Sequence, residues 1–207
     1  MITLAGRDRD AVARVAPVAH AIDAELEAER ARRLPAMFDD HYDAIWRTLR
    51  RLGIPDADVD DAAQRVFVIA ARRLETIEVG HEGRYLYGIA VRVASEVRRR
   101  APSRREIADE AALATIADDA PGPEQVLLDS EARDALDATL QDMADDLRAV
   151  LVLVELEGLS VADLAVSLEV PAGTAASRLR RAREAFTTSA RRVRARLELT
   201  GRKGAGR

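Results

Sequence analysis

The side chains best suited to chemistry lie between Glu157 and Glu184, in the run EGLSVADLAVSLEVPAGTAASRLRRARE. At 3.6 residues per turn, Ala175, Leu179, Ala182 and Phe186 share one side of a helix. Ala176, Ser177, Arg180, Arg181 and Glu184 fall mostly on the opposite side. Small residues lead on that side and an arginine pair follows. A helix entering a DNA major groove needs close approach at its N-terminal half. It then needs guanidiniums that reach base edges or phosphates. Arg178 and Arg183 fall to the flanks, where groove walls bring phosphates. A solvated amphipathic helix would carry the same arginine face, so the elements around it must decide.

The preceding residues supply such elements. Ser160 is a good N-cap, and Asp163 stands at N3 to close a capping box. Leu159 and Leu164 occupy the positions of a hydrophobic staple. They predict a helix of roughly two turns through Leu168. Glu169 and Val170 form the break, and Pro171 suits the first turn of a second helix. The pattern is a helix-turn-helix. GTAASRLRRARE resembles the GTxxSRLxRAR signature of region four of sigma-70-family transcription factors, most of all the extracytoplasmic-function (ECF, group IV) class. LuxR-type response regulators share the first half, but their second helix usually carries His and Lys, which are absent here.

A chain of 207 residues allows one ordinary domain or two small ones. Apolar content is ordinary at 48%, yet aromatics are only 3%, and Ala, Leu, Val and Arg dominate, which favours an all-α fold. The absence of Cys excludes disulfides and Cys-ligated zinc. The longest obvious apolar run, Ala149–Val154, falls far short of the ~18 residues of a membrane span. MITLAGRDRD lacks the apolar stretch of a signal peptide. The expectation is a cytoplasmic protein with no membrane insertion.

A net charge of −4 conceals a division. From Glu106 to Asp146 the charged residues are acidic except Arg133, whereas from Pro171 to Arg207 they are basic except Glu184 and Glu198. A basic end beside an acidic middle suits a nucleic-acid binder with a DNA-repelling linker; ordinary solubility is the plainer account.

Five segments are expected. Residues 1–34 form a leader, partly helical from about Ile22 to Leu34. Residues 35–101 carry three helices, near Ala36–Leu52, Asp58–Leu74 and Arg84–Arg100. Residues 102–128 form a flexible acidic linker broken at Pro121 and Pro123. Residues 129–199 hold two helices beneath the helix-turn-helix, with Leu136, Leu140, Leu147, Val150, Leu151 and Val154 as core and Gly158 as the stop. Residues 200–207 read as a disordered basic tail.

A second block lies upstream. VDDAAQRVFVIAARRL resembles the sigma region 2.2 pattern, and RYLYGIAVRVASEVRRR resembles the WLxRIAxNxxxDxxR run of regions 2.3 and 2.4. Two degenerate blocks in the right order are far more specific than either alone. The resemblance implies a two-domain sigma factor that directs core RNA polymerase to promoters. Domain two would dock on the clamp helices of the largest subunit through Asp60, Asp61, Gln64, Arg65 and Phe67. Its third helix and the loop before it would read the −10 element and hold it single-stranded, through Arg84, Tyr85, Arg92, Arg98 and Arg99. Tyr85 stands where the family usually has Trp and is either a stacking platform or a core aromatic. Domain four would read the −35 element with Ala176, Ser177, Arg178, Arg180, Arg181 and Arg183, near the polymerase flap. An anti-sigma factor is a further partner the resemblance admits. Three positions depart from the family: Arg65 replaces an acidic residue, Arg92 an Asn, and Glu96 an Asp.

Catalysis finds no support. His20, His41 and His81 are scattered, and there is no P-loop, nucleophile elbow or HExxH. No catalytic residue, metal ligand or cofactor is expected. Two other classes stay open on sequence: a helix-turn-helix regulator that binds duplex DNA without polymerase, and a helical adaptor that binds only protein.

Overall fold

A computed structural model describes residues 7–100 and 123–204, and every regular element among them is helical. The first unit comprises α1 (Arg7–Arg51), α2 (Asp56–Ala71), a short 3₁₀ turn at Leu74–Thr76, and α3 (Glu82–Arg100). Gly53, at φ 89, turns the chain out of α1. Pro55 then leads into α2, whose first turn carries Asp56 and Asp58 against the positive end of the helix dipole. Ile45 and Leu49 of α1, Val59, Ala63, Val66 and Ala70 of α2, and Leu86, Ile89, Ala90 and Val93 of α3 are buried together. Small alanines on α2 and α3, among them Ala62, Ala63, Ala70, Ala90 and Ala94, let the three helices approach closely.

The second unit comprises α4 (Pro123–Gln141), α5 (Asp145–Leu151), a π turn at Val152–Leu156, α6 (Val161–Ser167) and α7 (Ala172–Gly204). Gly158 ends the turn in the left-handed region at φ 74, and the Leu159 N–H reaches back to the Leu153 carbonyl at 3.0 Å. Leu140, Val150, Val152, Leu153, Leu164, Ala175 and Ala182 form its core. Arg148 is buried there at 1% exposure, donating to the carbonyls of Leu140, Gln141 and Met143 and, across to the first unit, of Leu52.

The units pack on each other, mainly α3 on α6, with α1 touching α4 and the π turn. Gly88 makes this possible. A Cβ built there would lie 2.6 Å from the Ser167 carbonyl oxygen.

Several boundaries differ from expectation. α1 is continuous through Pro17 and Pro35. Pro35 forgoes one ladder bond, but it is exposed, and the helix is anchored on either side by Arg33 and by the buried Met37. α4 begins at Pro123, so residues 123–128, expected as linker, are helical. α7 continues to Gly204, so the backbone of 200–204 is helix rather than disordered tail. The rest of the expected linker, 102–122, and residues 205–207 lie outside the described residues.

Candidate nucleic-acid interface

The helix-turn-helix is α6 and α7. Ser160 caps α6, its hydroxyl oxygen accepting from the Asp163 N–H at 3.0 Å. The reciprocal half of the capping box is replaced: the Asp163 carboxylate accepts from the Ser160 hydroxyl at 2.6 Å and from Arg84 at 3.1 Å. The Ser160 bond first and Arg84 second hold this carboxyl below its ordinary value. Glu169 makes the turn with φ 55, a left-handed conformation rare outside glycine. Ala175, Leu179 and Ala182 are buried, Phe186 packs partly against the core, and Ala176, Ser177, Arg180, Arg181 and Arg183 are exposed. Arg180 pairs with Glu184 one turn on, and Arg183 pairs with Glu155 of the π turn, both at the surface. Arg178 is half-buried and lines a groove of about 330 Å³ between the two units. The face therefore presents a small-residue start and an arginine pair, with Arg178 and Arg183 diverging to its two sides.

The proposed −10 residues lie along α3, and three of them have acidic partners on the second unit. Arg84 bonds Asp163, Arg92 bonds Glu169 at 2.8 Å, and Arg98 pairs with Asp145 while donating to the Leu52 carbonyl at 3.1 Å. Tyr85 is half-buried, and Arg99 is exposed. Tyr85 and Arg84 line a cavity of about 310 Å³ together with Ile77, Glu78 and His81 of the loop before α3. Between the units, Glu157 accepts from Arg51 at 2.8 Å and from the Tyr87 hydroxyl at 3.2 Å. Burial first and the Glu157 charge second push Tyr87 up to about 12.

On α2, Asp60, Asp61 and Gln64 are exposed on one side. Asp60 accepts from Trp46 at 2.8 Å and from Tyr42 at 3.3 Å, so it is a hydrogen-bonded carboxylate on a fixed aromatic base. Phe67 is a correction to the expected docking set. It is 5% exposed and packs against Phe38 at 4.9 Å between ring centres, because its position on α2 falls on the core stripe. The aromatic that reaches the surface there is Phe38, 42% exposed. Arg65 pairs with Glu96 of α3, and this bond, with the guanidinium charge, holds the Glu96 carboxyl low.

Sequence reasoning missed four residues that shape these surfaces: Arg33, Gly88, Arg148 and Glu157. Only Gly88 left a signal, as a glycine inside a helical pattern. The others read as ordinary surface charges.

No group of His, Cys, Asp or Glu suited to hold a metal ion occurs among the described residues, and none of their helices is long and apolar enough to cross a membrane.

Comparison with known proteins places two matches in order along the chain: sigma-70 region 2 over residues 37–104 and sigma-70 region 4 over residues 133–186. The ECF RNA polymerase sigma-E factor of Escherichia coli K12 is 37% identical over 146 residues, 64% of this chain and 74% of that protein. The ECF RNA polymerase sigma factor SigE of Mycolicibacterium smegmatis is 32% identical over 145 residues, 70% of this chain and 56% of that protein. Two solved structures share the fold. CnrH in complex with the cytosolic domain of CnrY has a TM-score of 0.54 at 23% identity, covering 76% of this chain and 87% of that one. The sigma factor RpoE of Bartonella quintana, in complex with the anti-sigma factor NepR, has a TM-score of 0.55 at 20% identity, covering 76% and 96%.

Proposed function

We propose, for a chain that belongs to the sigma-70 family of RNA polymerase sigma factors and within it to the ECF type, a division of labour among three surfaces. As a sigma factor it directs transcription initiation. The outer side of α2, with Asp60, Asp61, Gln64 and Arg65 beside the exposed Phe38, docks on the clamp helices of core polymerase. Arg84, Tyr85, Arg92, Arg98 and Arg99 of α3 take up the −10 element, Tyr85 stacking on an unpaired base in the cavity before α3. Ala176, Ser177, Arg180 and Arg181 of α7 read the −35 element, while Arg178 and Arg183 hold its phosphates, close to the polymerase flap. The chain works in the cytoplasm, performs no covalent chemistry itself, and takes an anti-sigma factor as its regulatory partner.

One observation carries the −35 assignment. The exposed Ala176–Ser177–Arg180–Arg181 side backs onto a buried Ala175–Leu179–Ala182 side, on a helix introduced by a capped short helix and a sharp turn. A regulator that bound duplex DNA alone would leave the docking side of α2 without a purpose.

The test is a panel of −35 promoter variants transcribed by core polymerase with each arginine variant. Arg180→Ala or Arg181→Ala should flatten preference at one or two −35 positions, since a bidentate guanine contact is worth about 1–3 kcal/mol of discrimination. Arg178→Ala or Arg183→Ala should lower output on every promoter and reduce the salt slope by about one. Base preference that shifts with Arg178 or Arg183 but with neither Arg180 nor Arg181 would overturn the assignment.

A further inference from the structure

We infer that Arg33, supported by Arg30, is a positioning residue that fixes the loop before α3 in the shape that discriminates −10 bases. The inference rests on the −10 reading proposed above. Both arginines lie upstream of the sigma-70 region 2 match, which begins at residue 37. They belong to the part of α1 to which the resemblance assigns no role.

The loop between α2 and α3 is anchored below by the buried Leu74 and Ile77, while its apex residue, Val79, is 74% exposed. Its shape therefore depends on polar ties, and α1 supplies the long-range ones. Arg33 Nη2 donates to the Ile77 carbonyl at 2.9 Å and to Glu82 Oε1 at 2.9 Å. The second carboxylate oxygen of Glu82 accepts from the Gly80 N–H at 2.7 Å, at the point where the chain turns with φ 83. One guanidinium thus connects the loop wall, the start of α3 and the turn between them. Arg30 adds an ion pair to Glu75 at 3.2 Å and a longer contact to the Ala71 carbonyl at 3.4 Å. The Arg33 and Glu82 side chains are only 18% and 17% exposed, so water competes weakly for the bond. Burial raises the Glu82 carboxyl, but the Gly80 and Glu82 backbone bonds and Arg33 outweigh it and leave the group below its ordinary value.

The geometry bears on specificity through the cavity that holds Tyr85. Ile77, Glu78 and His81 form one wall, Arg84 and Tyr85 form another, and Val166, Ser167 and Glu169 of the second unit close the third side. Arg33 grips the first wall at Ile77 and the second at Glu82, where α3 begins. Without it the distance between these first two walls is no longer set, and bases of different size and hydrogen-bonding edge are told apart less well. A purely structural arginine would instead lower output on all promoters by one common factor.

The experiment uses the full chain with core RNA polymerase on promoters that differ by single −10 bases, with a −35 panel alongside. Arg33→Ala should compress −10 discrimination roughly threefold or more, leaving −35 ratios unchanged, as expected for loss of a charge-assisted bond. Arg33→Lys, with a compact ammonium in place of the fork, should fall between it and the wild type. Glu82→Gln leaves α1 intact and should reproduce the compression even if Arg33→Ala disturbs folding. In the free full chain, the Gly80 amide should exchange about tenfold faster in Arg33→Ala. Tyr85→Ala is the control for the −10 reading. Wild-type −10 ratios in both Arg33→Ala and Glu82→Gln, with Tyr85→Ala altered, would overturn the brace alone. Unaltered −10 ratios in Tyr85→Ala would overturn the −10 reading and the brace with it.

Discussion

Replacing Gly88 with alanine sets two effects of known sign against each other. Inside a helix, glycine costs about 1 kcal/mol relative to alanine, so the change should stabilise α3 itself. The added Cβ, however, would lie 2.6 Å from the Ser167 carbonyl oxygen and 3.4 Å from the Ser167 carbonyl and α carbons. These are backbone atoms, so α6 must retreat as a unit, because no side chain can swing aside. Overpacking of this kind costs about 1–3 kcal/mol. The retreat also stretches the Ser167 hydroxyl bond to the Arg84 carbonyl, 3.0 Å, and the Arg84–Asp163 pair, 3.1 Å. Since about 1.4 kcal/mol is a factor of ten, the contact between the units should loosen by roughly one order of magnitude. The chain has no native Cys, so dyes at Gln64→Cys and Arg191→Cys, both exposed, report the separation by single-molecule energy transfer. Gly88→Ala should give a longer and broader distance distribution, while amides of α3 exchange no faster than in the parent. An unchanged distribution would refute the claim that Gly88 is required for this contact.

Three further outcomes are expected. Arg148→Met leaves the carbonyls of Leu52, Leu140, Gln141 and Met143 without their shared donor, and should cost about 3 kcal/mol or more in urea unfolding followed by circular dichroism; Arg148→Lys should not restore it, and a loss under about 1 kcal/mol would count against the bond network. Asp163 has a depressed folded value, so the stability it confers is present above the unfolded carboxyl value near ~4 and is lost as pH falls through the folded one; the melting difference between wild type and Asp163→Asn should therefore shrink on acidification below about pH 4, and a constant difference would contradict it. Arg65→Glu faces Glu96 with a like charge and should lower the melting temperature, and adding Glu96→Arg should recover it; no recovery would mean that the pair does not couple.

The helix-turn-helix was legible because its signals are local. A cap, a staple, a break and a 3.6-residue period need only the residues that carry them, and Ser160, Leu164, Glu169 and Leu179 each take the expected place. The three-helix unit is legible for the same reason, since apolar residues recur there at helical spacing, as Val59, Ala63, Val66, Phe67 and Ala70 do in α2. Phe67 shows the limit. Its period put it on the core stripe, whereas its resemblance to a docking motif put it outside, and burial decides for the stripe. The expected break between Leu34 and Ala36 is absent for a different reason: Pro35 weakens the helix locally, but Arg33 and Met37 on either side keep α1 in one piece. Arg148 could not have been read at all. Among many arginines, nothing in its neighbours shows that four carbonyls from two units converge on it.

The three departures from the sigma pattern become intelligible only through their partners. Arg65 and Glu96 are two separate deviations in sequence, but in space they are one ion pair between α2 and α3. The charge introduced at Arg65 is thereby answered within the same unit, on the edge of the side proposed to dock, and Asp61 and Gln64 face solvent. Arg92 differs, since its partner, Glu169, belongs to the turn of the helix-turn-helix. Arg84 and Arg98 likewise pair with Asp163 and Asp145 of the second unit. On the −10 reading proposed above, the carboxylates occupy these guanidiniums where phosphates would go, and DNA that reaches α3 must displace them. The Arg92–Glu169 pair is largely exposed and costs little to exchange, whereas Arg98 is only 14% exposed and also holds the Leu52 carbonyl. On that reading Arg92 is the first of the three that a phosphate would recruit, and Arg98 would follow only on release of Asp145.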